Sequence, residues 1–433
     1  MKRHLGLLLS VALVGCATQS GPPPGGGTSP GTTAPPASQP DPEPSRPQPS
    51  TPPAPQPSAE QMAFDVWRED FIARAGASSP ILRRELQGLT LDPKVIEADR
   101  SQPEFSRPIG TYVQGAVSED RIATGRRKIT EIAQLQTIQR EYGVPAEVIV
   151  AVWAMESAFG RIQGDNDTVR SLATLAANGR RRAWAETQLL AAMRMISEGH
   201  ATRGQMKGSW AGAMGQTQFI PETYLARAVD GDGDGRRDIW GSAPDALAST
   251  ANLLARAGWR AGQSWQVEVT LPSGFDYSLL EERRAAPSFW EGAGVRRADG
   301  RPFSAADQAS EAQLILPAGA GGPAFLIFPN HHAIRAYNNS VAYALGVGLL
   351  AERIRGEGQL VKAWPQEPAL SRDQRMDAQR ALNALGFPVG EIDGVIGSGT
   401  RAALRQWQRS VGLIADGYLT AELVVRLKAQ AGL

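Results

Sequence analysis

A single carboxylate, Glu156, lies in an otherwise apolar stretch, AVWAMESAFG at 151–160. Pro145 is typical of the start of a helix and Gly160 of its end, so the spacing predicts one helix between them. On that helix Glu156 shares a face with apolar neighbours such as Trp153. An apolar environment disfavours the ionised form and raises the pKa of a carboxyl group, which suits a general acid. The alternative is a structural carboxylate paired with an arginine.

A second group of carboxylates has the spacing of a calcium-binding loop. The segment DGDGDGRRDIWG at 230–241 matches the EF-hand pattern at positions 1, 3, 5, 6 and 9. Position 12 is Gly241 instead of glutamate, and Asp245 is the acid that replaces it. Crowded acids repel one another without a cation, so we expect structural Ca²⁺ here, with a solvated acidic turn as the alternative. The expected ligands are Asp230, Asp232, Asp234, Arg236 (through its backbone carbonyl), Asp238 and Asp245.

Two further segments combine small residues with polar groups that could hydrogen-bond a sugar. They are KGSWAGAMGQTQFIPETY at 207–224 and YNNSVAYALG at 337–346. In the second segment, Asn339 and Tyr343 are four residues apart and fall on one face of a predicted helix. The alternative for both segments is packing, with small residues between helices and tyrosine in a core. The candidate groups are Ser209, Gln216, Gln218, Asn339 and Tyr343.

The amino terminus has the features of an export signal. MKRHLGLLLSVALVGCATQS begins with basic residues and continues with an apolar run that is too short to span a bilayer. It ends in LVGC, which resembles a bacterial lipobox in which Cys16 becomes the acylated first residue. Cys16 is the only cysteine, so disulfides within the chain are excluded. Acylation would anchor the chain to a membrane, and Ala17 favours the outer membrane; an ordinary signal peptide is the alternative.

Composition divides the 433 residues into four parts and excludes one class of partner. With 45 basic and 44 acidic residues the net charge is +1, so no electrostatic field selects nucleic acid. The fold is predicted to be mainly α-helical, because helical spacing dominates outside a few short β-like runs. The predicted parts are a lipoprotein signal peptide at 1–16, a disordered proline-rich tether at 17–59, a helical domain at 60–363 with a β subdomain at about 262–328, and a three-helix bundle at 368–433.

The last of these parts contains an internal echo. DGVIGSGT at 393–400 and ADGYLT at 415–420 are each an Asp-Gly turn that runs into a threonine. Thr400 and Thr420 are therefore predicted to cap the helices that follow. Trp407 is predicted to lie in the core of the bundle and not to bind a ligand.

Taken in order, these segments resemble the membrane-bound lytic murein transglycosylase B family. The segments that carry the resemblance are VWAMESAFG, GSWAGAMGQTQFIPETY, DGDGDGRRDIWG, PDALASTANLL, IFPN and YNNSVAY, which together cover about 60–360. The region 370–430 resembles a three-helix peptidoglycan-binding module through DGVIGSGT and ALRQWQ. Leu253 departs from the aromatic residue of some relatives, which puts one stacking contact in doubt.

The resemblance implies a lysozyme-like fold that cleaves the glycan strands of peptidoglycan with Glu156 as the single acid/base. The strand would be cut between N-acetylmuramic acid and N-acetylglucosamine, leaving a 1,6-anhydro end. Arg181 and Arg182 resemble a basic pair near the peptide stem, although the triplet 180–182 leaves the register open. The implied residues of the glycan groove are Ser209, Gln218, Tyr337, Asn339 and Tyr343. The implied location is the periplasmic side of the outer membrane, where other wall enzymes are possible partners.

The residues around Glu156 fit this chemistry independently. Most glycosidases use two carboxylates, and no second acid has a placement comparable to that of Glu156. Asp165 and Asp167 lie in a polar loop. One acid suffices if the substrate supplies its own nucleophile. The rival hypotheses are a muramidase that uses water and a non-catalytic lipoprotein that tethers the membrane to the wall.

Overall fold

The structure is a computed structural model that describes residues 58–101, 107–280 and 283–433. Cys16 and most of the predicted tether lie outside the described residues. The helices are α1 (Ala59–Ala75), α2 (Leu82–Leu86), α3 (Pro93–Ser101), α4 (Ile109–Ala116), α5 (Glu119–Glu131), α6 (Leu135–Tyr142), α7 (Ala146–Ser157), α8 (Thr168–Ala177), α9 (Arg182–Ser197), α10 (Pro221–Arg227), α11 (Ala243–Arg256), α12 (Pro287–Gly292), α13 (Ala305–Gln308), α14 (Pro329–Tyr337), α15 (Val341–Arg355), α16 (Arg372–Ala384), α17 (Ser398–Ser410) and α18 (Ala421–Ala431). The strands are β1 (Asn166–Asp167), β2 (Lys207–Gly208), β3 (Gln266–Thr270), β4 (Arg284–Ala285), β5 (Arg296–Arg297), β6 (Ala312–Ile315) and β7 (Ala324–Ile327). The predominance of helices over strands confirms the prediction of a mainly α-helical protein.

Helices α7 and α15 form the centre of the larger domain. Ten of the twelve residues of α7 are buried, as expected for a helix that is apolar on all sides. The two helices pack against each other in antiparallel directions. Glu147 at the start of α7 lies 3.6 Å from Arg355 at the end of α15, while Glu156 contacts Tyr343 at the opposite end. The pair therefore carries Glu156 at one end of the domain core.

A five-stranded antiparallel sheet is inserted between α11 and α14. Its strand order is β4-β6-β7-β3-β5, and all of its strands lie within the segment in which the sequence predicts a β subdomain. Val267 and Val269 alternate with polar neighbours on β3 and are buried in a separate apolar cluster with Trp290. The alternation read from the sequence is thus confirmed in the structure.

Helices α16, α17 and α18 enclose a core of their own. Trp407 is fully buried in it, as predicted. Thr420 caps α18 by accepting a hydrogen bond from the backbone N–H of Leu423 at 3.2 Å, also as predicted. The bundle touches the larger domain where Asp416 Oδ2 accepts a bond from the N–H of Ala320 at 2.8 Å. In the part of the chain that the structure describes, no helix has both the length and the apolar character needed to cross a bilayer.

Two details of the predicted helices are wrong. Thr400 does not cap α17, because the helix begins earlier with Gly397 at the cap and Thr400 is buried inside it. Asn339 is not on a helix with Tyr343, because the helical backbone is interrupted between α14 and α15. The break has a local cause: the Ser340 side chain accepts a bond from the N–H of Tyr343 and starts α15 at the following residue.

Candidate active site

Glu156 lies in the last turn of α7 and is 7% exposed. Burial is the main cause that raises the pKa of its carboxyl group to about 8. The pKa of the carboxyl group shifts upward because desolvation penalises the charged form of an acid. Glu156 is therefore mostly protonated near neutral pH and can give a proton to a bound oxygen atom.

Tyr343 is the side chain that touches this carboxyl group. Its hydroxyl donates a hydrogen bond of 2.5 Å to Glu156 Oε1, and the ring is 2% exposed. A donated bond stabilises the carboxylate, so Tyr343 lowers the pKa of Glu156 and partly offsets burial. The structure thus brings Tyr343 to the catalytic candidate.

The turn after α7 has an uncommon backbone. Ala158, Phe159 and Gly160 have positive φ angles of 49°, 61° and 81°. Left-handed backbone costs roughly 1–2 kcal/mol at each non-glycine residue, so nearby contacts must hold the turn. Ser157 Oγ donates to the carbonyl of Gln216 at 2.7 Å and accepts from the N–H of Gly160 at 3.0 Å. The helix ends at Ser157 and the turn begins there, earlier than the sequence predicts.

Gln216 joins this turn to the acidic loop. Its Oε1 accepts a bond from Trp153 Nε1 at 3.0 Å, and its Nε2 donates to the carbonyl of Trp240 at 3.1 Å. Its backbone N–H donates to the carbonyl of Ile239 at 2.8 Å. Gln216 is 5% exposed, so its side chain is a structural clamp instead of the sugar contact that the sequence suggests.

Ser209 and Gln218 belong to the same loop and use their side chains within it. Ser209 is 2% exposed, and its Oγ accepts bonds from two backbone amides of its own loop. Gln218 has a positive φ of 51° and donates to the carbonyls of Gln163 and Gly215 at 3.0 and 2.9 Å. Their roles in the glycan groove stay predictions.

The structure places the second predicted group in two different environments. Asn339 is exposed, and its Oδ1 accepts a bond of 2.8 Å from Arg335 Nη2. Tyr337 is 6% exposed and packs against Phe219, while its hydroxyl donates 2.5 Å to the carbonyl of Thr217. Asn339 is therefore open to solvent, whereas Tyr337 lies in the core, and their roles in the glycan groove stay predictions.

The basic triplet at 180–182 is partly engaged by an acid. Arg180 and Arg181 both pair with the buried carboxylate of Asp99, at 2.7 and 2.8 Å. The Arg181 guanidinium also lies over the Trp210 ring, 5.7 Å from its centroid. Arg182 is exposed at the start of α9. The sequence did not indicate Asp99, because nothing in its local pattern separates this buried acid from the acids at the surface.

A tyrosine from a distant part of the chain also lies beside the acid. The charge of Glu156 contributes to a raised pKa of Tyr112 on α4, although burial of Tyr112 is the larger cause. Tyr112 also packs near Gly346 of α15. Sequence reasoning missed this residue because only the packing of α4 on α15 brings it to Glu156.

The acidic loop gathers four carboxylates. Oxygen atoms of Asp230, Asp232, Asp234 and Asp245 all lie within 4.8 Å of one another. Asp245 is fully buried, and burial raises its pKa while backbone N–H groups hold its oxygens in place. Asp238 lies outside this group of four, and its Oδ1 accepts bonds from the N–H groups of Trp240 and Gly241, so its role as a ligand stays a prediction.

These residues fit a calcium ion. Ligand oxygens at 2.3–2.6 Å from Ca²⁺ lie about 5 Å apart or less, in agreement with the spacing of the four carboxylates. All of the gathered groups are hard oxygen donors, which calcium prefers. Arg236 follows Asp234 and donates its backbone N–H to that carboxylate at 2.8 Å.

Comparison with known proteins identifies two families along the chain. Residues 60–352 match the transglycosylase SLT domain, and residues 371–427 match a peptidoglycan binding domain. Membrane-bound lytic murein transglycosylase B of Escherichia coli (strain K12) is 34% identical over 219 residues, which cover 49% of this chain. The match spans 58% of that relative's length, a little over half.

Solved structures extend the similarity over most of the chain. SltB3 from Pseudomonas aeruginosa, in complex with NAG-anhNAM-pentapeptide, is 48% identical with a TM-score of 0.81. The alignment covers 84% of this chain and 99% of SltB3. Escherichia coli lytic transglycosylase Slt35, in complex with calcium, is 28% identical with a TM-score of 0.57, over 66% of this chain and 92% of Slt35. The chain therefore belongs to the lytic murein transglycosylase family, enzymes with an SLT domain, and it also carries a peptidoglycan-binding domain.

Proposed function

We propose that the chain cleaves peptidoglycan as a lytic transglycosylase, with Glu156 as its single acid/base. Protonated Glu156 gives its proton to the glycosidic oxygen, and the bond from that oxygen to C1 of N-acetylmuramic acid breaks. The 6-hydroxyl of the same sugar attacks C1 and returns its proton to the Glu156 carboxylate. The products are a free 4-hydroxyl on N-acetylglucosamine and a 1,6-anhydro ring, and no water is consumed.

The environment of Glu156 is the observation that carries this proposal. Among the described residues, burial and the bond from Tyr343 are the two influences that shift its pKa, and no second carboxylate contributes. A glycosidase that uses two carboxylates holds them about 5–9.5 Å apart, close enough for each charge to shift the other's pKa. With no second carboxylate to activate water, we assign the role of nucleophile to the muramic 6-hydroxyl of the substrate.

The glycan groove runs past Glu156. The residues that we assign to it fall into an exposed group and a buried group. Asn339 and Arg182 are exposed and contact substrate directly, with Arg182 facing the peptide stem beside Arg181. Gln218 is half-buried and offers its amide oxygen, since its amide nitrogen is engaged. The buried members of the set support the groove from behind; they are Ser209, Tyr337 and Tyr343.

The acidic loop holds a structural Ca²⁺ through Asp230, Asp232, Asp234 and Asp245. The relative Slt35 was solved with calcium, which supports the choice of metal. The ion compensates the charge of the four acids and takes no part in bond cleavage. The backbone carbonyl of Arg236 completes the set, and Asp238 orders the exit of the loop through its backbone bonds.

The chain is a lipoprotein anchored through Cys16 on the periplasmic side of the outer membrane. The predicted parts are the signal peptide at 1–16, the tether at 17–59, the catalytic domain at 60–363 and the wall-binding domain at 368–433. The membrane-bound relative of Escherichia coli supports membrane association. Replacing Cys16 by serine should move the protein from the membrane fraction to the soluble fraction; an unchanged membrane fraction contradicts the anchor.

Digestion of purified cell-wall sacculi tests the activity. The wild-type protein should release muropeptides that are one water lighter than hydrolysis products, as read by mass spectrometry. Glu156→Gln keeps the size of the side chain and removes the acid, so release should fall by about a hundredfold to ten-thousandfold. Exposed Glu119→Gln is the matched control and should digest like wild type. Products with reducing ends would overturn the proposal in favour of a muramidase.

A further inference from the structure

A cavity of about 310 Å³ lies at the end of α15 that is far from Glu156. Glu352 and Arg355 in the last turns of α15 line it, and so does Pro145 just before α7. Tyr343, which contacts Glu156, precedes Glu352 by nine residues on α15, a rise of about 14 Å. The cavity is therefore separate from the catalytic acid, and its volume is at the lower end of the range for small-ligand sites, about 300–1,000 Å³.

Most charged side chains of this lining are already engaged. Asp299 lies 2.6 Å from Arg297 and 2.8 Å from Arg301. Glu268 accepts bonds from two successive backbone N–H groups, both at 2.8 Å. Arg355 lies 3.6 Å from a glutamate of α7. These groups compensate one another, so they do not select an ionic ligand.

The two remaining acids of the lining, Glu352 and Glu357, lie in different environments. Glu357 is exposed to solvent. Desolvation raises the pKa of the Glu352 carboxyl group to about 8, although the charge of Arg355 and the side chain of Trp265 lower it. Glu352 is therefore mostly protonated near neutral pH, and its carboxyl group is a neutral group that both donates and accepts hydrogen bonds.

Neutral polar atoms of the lining residues lack hydrogen-bond partners. Among the residues that the structure describes, Trp259 Nε1, Gln263 Oε1 and Gln266 Oε1 are buried atoms without a partner. Gln266 as a whole is only 4% exposed. Buried polar atoms almost always have a partner, so three of them around one cavity indicate a polar molecule that fills it. The terminal torsion of a glutamine is soft, so both amide groups can turn towards such a molecule.

Two indole rings give the same cavity an apolar surface. The rings of Trp259 and Trp265 both line it, with their centroids 6.0 Å apart. The guanidinium of Arg355 lies over the Trp265 ring at 5.3 Å, so the half-buried Trp259 is the ring with surface left for a ligand. A sugar has an apolar face of C–H groups for such a ring, and hydroxyl groups that donate to and accept from amides and a carboxyl group.

We propose that this cavity is a second glycan-binding site, which holds one neutral sugar of the N-acetylglucosamine type at a distance from the bond that is cut. Trp259 packs on the sugar ring, while Gln263, Gln266 and Glu352 pair with its hydroxyl and acetamido groups. The neutral lining favours a sugar over the peptide stem, whose end carries charge. The site holds the catalytic domain on the polymer independently of Glu156 and of the C-terminal bundle.

Titration of the whole chain with N-acetylglucosamine tests the inference by nuclear magnetic resonance. The tryptophans carry ¹⁵N, and the Trp259 indole N–H signal is assigned by its absence in Trp259→Phe. This signal should shift and saturate as the sugar binds. Gln263→Met removes an amide at nearly constant size and should weaken that affinity about fivefold, the value of one hydrogen bond. Gln136→Met, at an exposed position of α6 outside the lining, should bind like wild type.

Two further measurements separate sugar binding in the cavity from other effects. The Trp153 indole, which lies on α7 beside Glu156, reports on the catalytic groove and should respond equally in Gln263→Met and wild type. The unfolding temperature of Gln263→Met without sugar should stay near that of wild type. The amide of Gln263 makes only one long bond, of 3.3 Å to the carbonyl of Ala306, so its loss costs little stability.

Three outcomes would overturn the inference. They are a Trp259 signal that does not move with the sugar, an equal affinity in Gln263→Met and wild type, and an equal shift of the Trp259 signal with glycerol. The last would mean that the cavity holds water or any small polyol and does not recognise a sugar. None of these outcomes changes the products of sacculus digestion, so failure of this inference is distinguishable from failure of the proposed function.

Discussion

At the scale of single residues, the acid is tuned by two opposing effects. Burial of Glu156 favours the protonated form, and the hydroxyl of Tyr343 favours the ionised form, with a resulting pKa of about 8. The reaction uses both forms in turn, first as acid and then as base. A pKa near the working pH makes both forms accessible. This is the value expected of a single group that acts first as the acid and then as the base.

Tyr343→Phe tests this balance. Loss of the hydrogen bond removes a group that lowers the pKa, so the pKa of Glu156 should rise above its wild-type value. Activity of the wild type should fall as pH rises through about 8, because the acid loses its proton. In Tyr343→Phe that descending limb of kcat/KM should move to higher pH, by about one unit for each 1.4 kcal/mol of lost bond energy. A limb that stays in place or moves to lower pH contradicts the role of Tyr343.

At the scale of elements, the turn after α7 positions the acid and stores backbone strain. Gly160→Ala would place a methyl group 2.5 Å from Gln216 Oε1, whereas Gly179→Ala meets nothing within 4 Å at a similar φ. Gly179→Ala should therefore lower the free energy of unfolding only by the penalty for left-handed backbone, about 1–2 kcal/mol, and leave activity unchanged. Gly160→Ala should lower the free energy of unfolding by about 2–4 kcal/mol and also lower kcat. The methyl group displaces the Gln216 side chain, which then loses its hydrogen bond to Trp153. Urea unfolding measures the change in stability, and turnover measures the change in kcat. Equal effects of the two substitutions would contradict the role of Gln216 as a clamp.

The acidic loop is the second element whose contribution can be measured. Excess calcium should raise Tm of the wild type by on the order of 5 °C, because the ion binds only the folded loop. Asp232→Asn removes a ligand and should reduce that rise, while exposed Asp165→Asn should keep it. Thermal unfolding with calcium and with a chelator gives the answer. A Tm that does not respond to calcium in any variant contradicts the metal site.

The sequence predicts elements well where local chemistry decides them. The helix of Glu156, the alternating strand at Val267 and the capping Thr420 all follow from patterns within a few residues. Asn339 was misplaced because helical spacing continues through a segment that Ser340 interrupts by capping α15. Contacts such as Asp99 with Arg181 join parts of the chain that are far apart in sequence, so no local pattern reveals them.

At the scale of the whole molecule, the family resemblance predicted more than periodicity could. It predicts the order of the two domains, which the family matches at 60–352 and 371–427 confirm, and it assigns the single acid to Glu156, which stays a prediction. The contacts between the catalytic domain and the three-helix bundle, such as the bond from the N–H of Ala320 to Asp416, could not be predicted from it, because they depend on how the folded domains pack.

The central claim is that the substrate, not water, supplies the nucleophile to a reaction run by one acid. Digestion of peptidoglycan in water labelled with heavy oxygen tests it directly, because an internal attack consumes no water. The account predicts anhydro products without the label in the wild type and no products with Glu156→Gln. Muropeptides that carry one labelled oxygen at the new end would contradict it and show that water attacks C1.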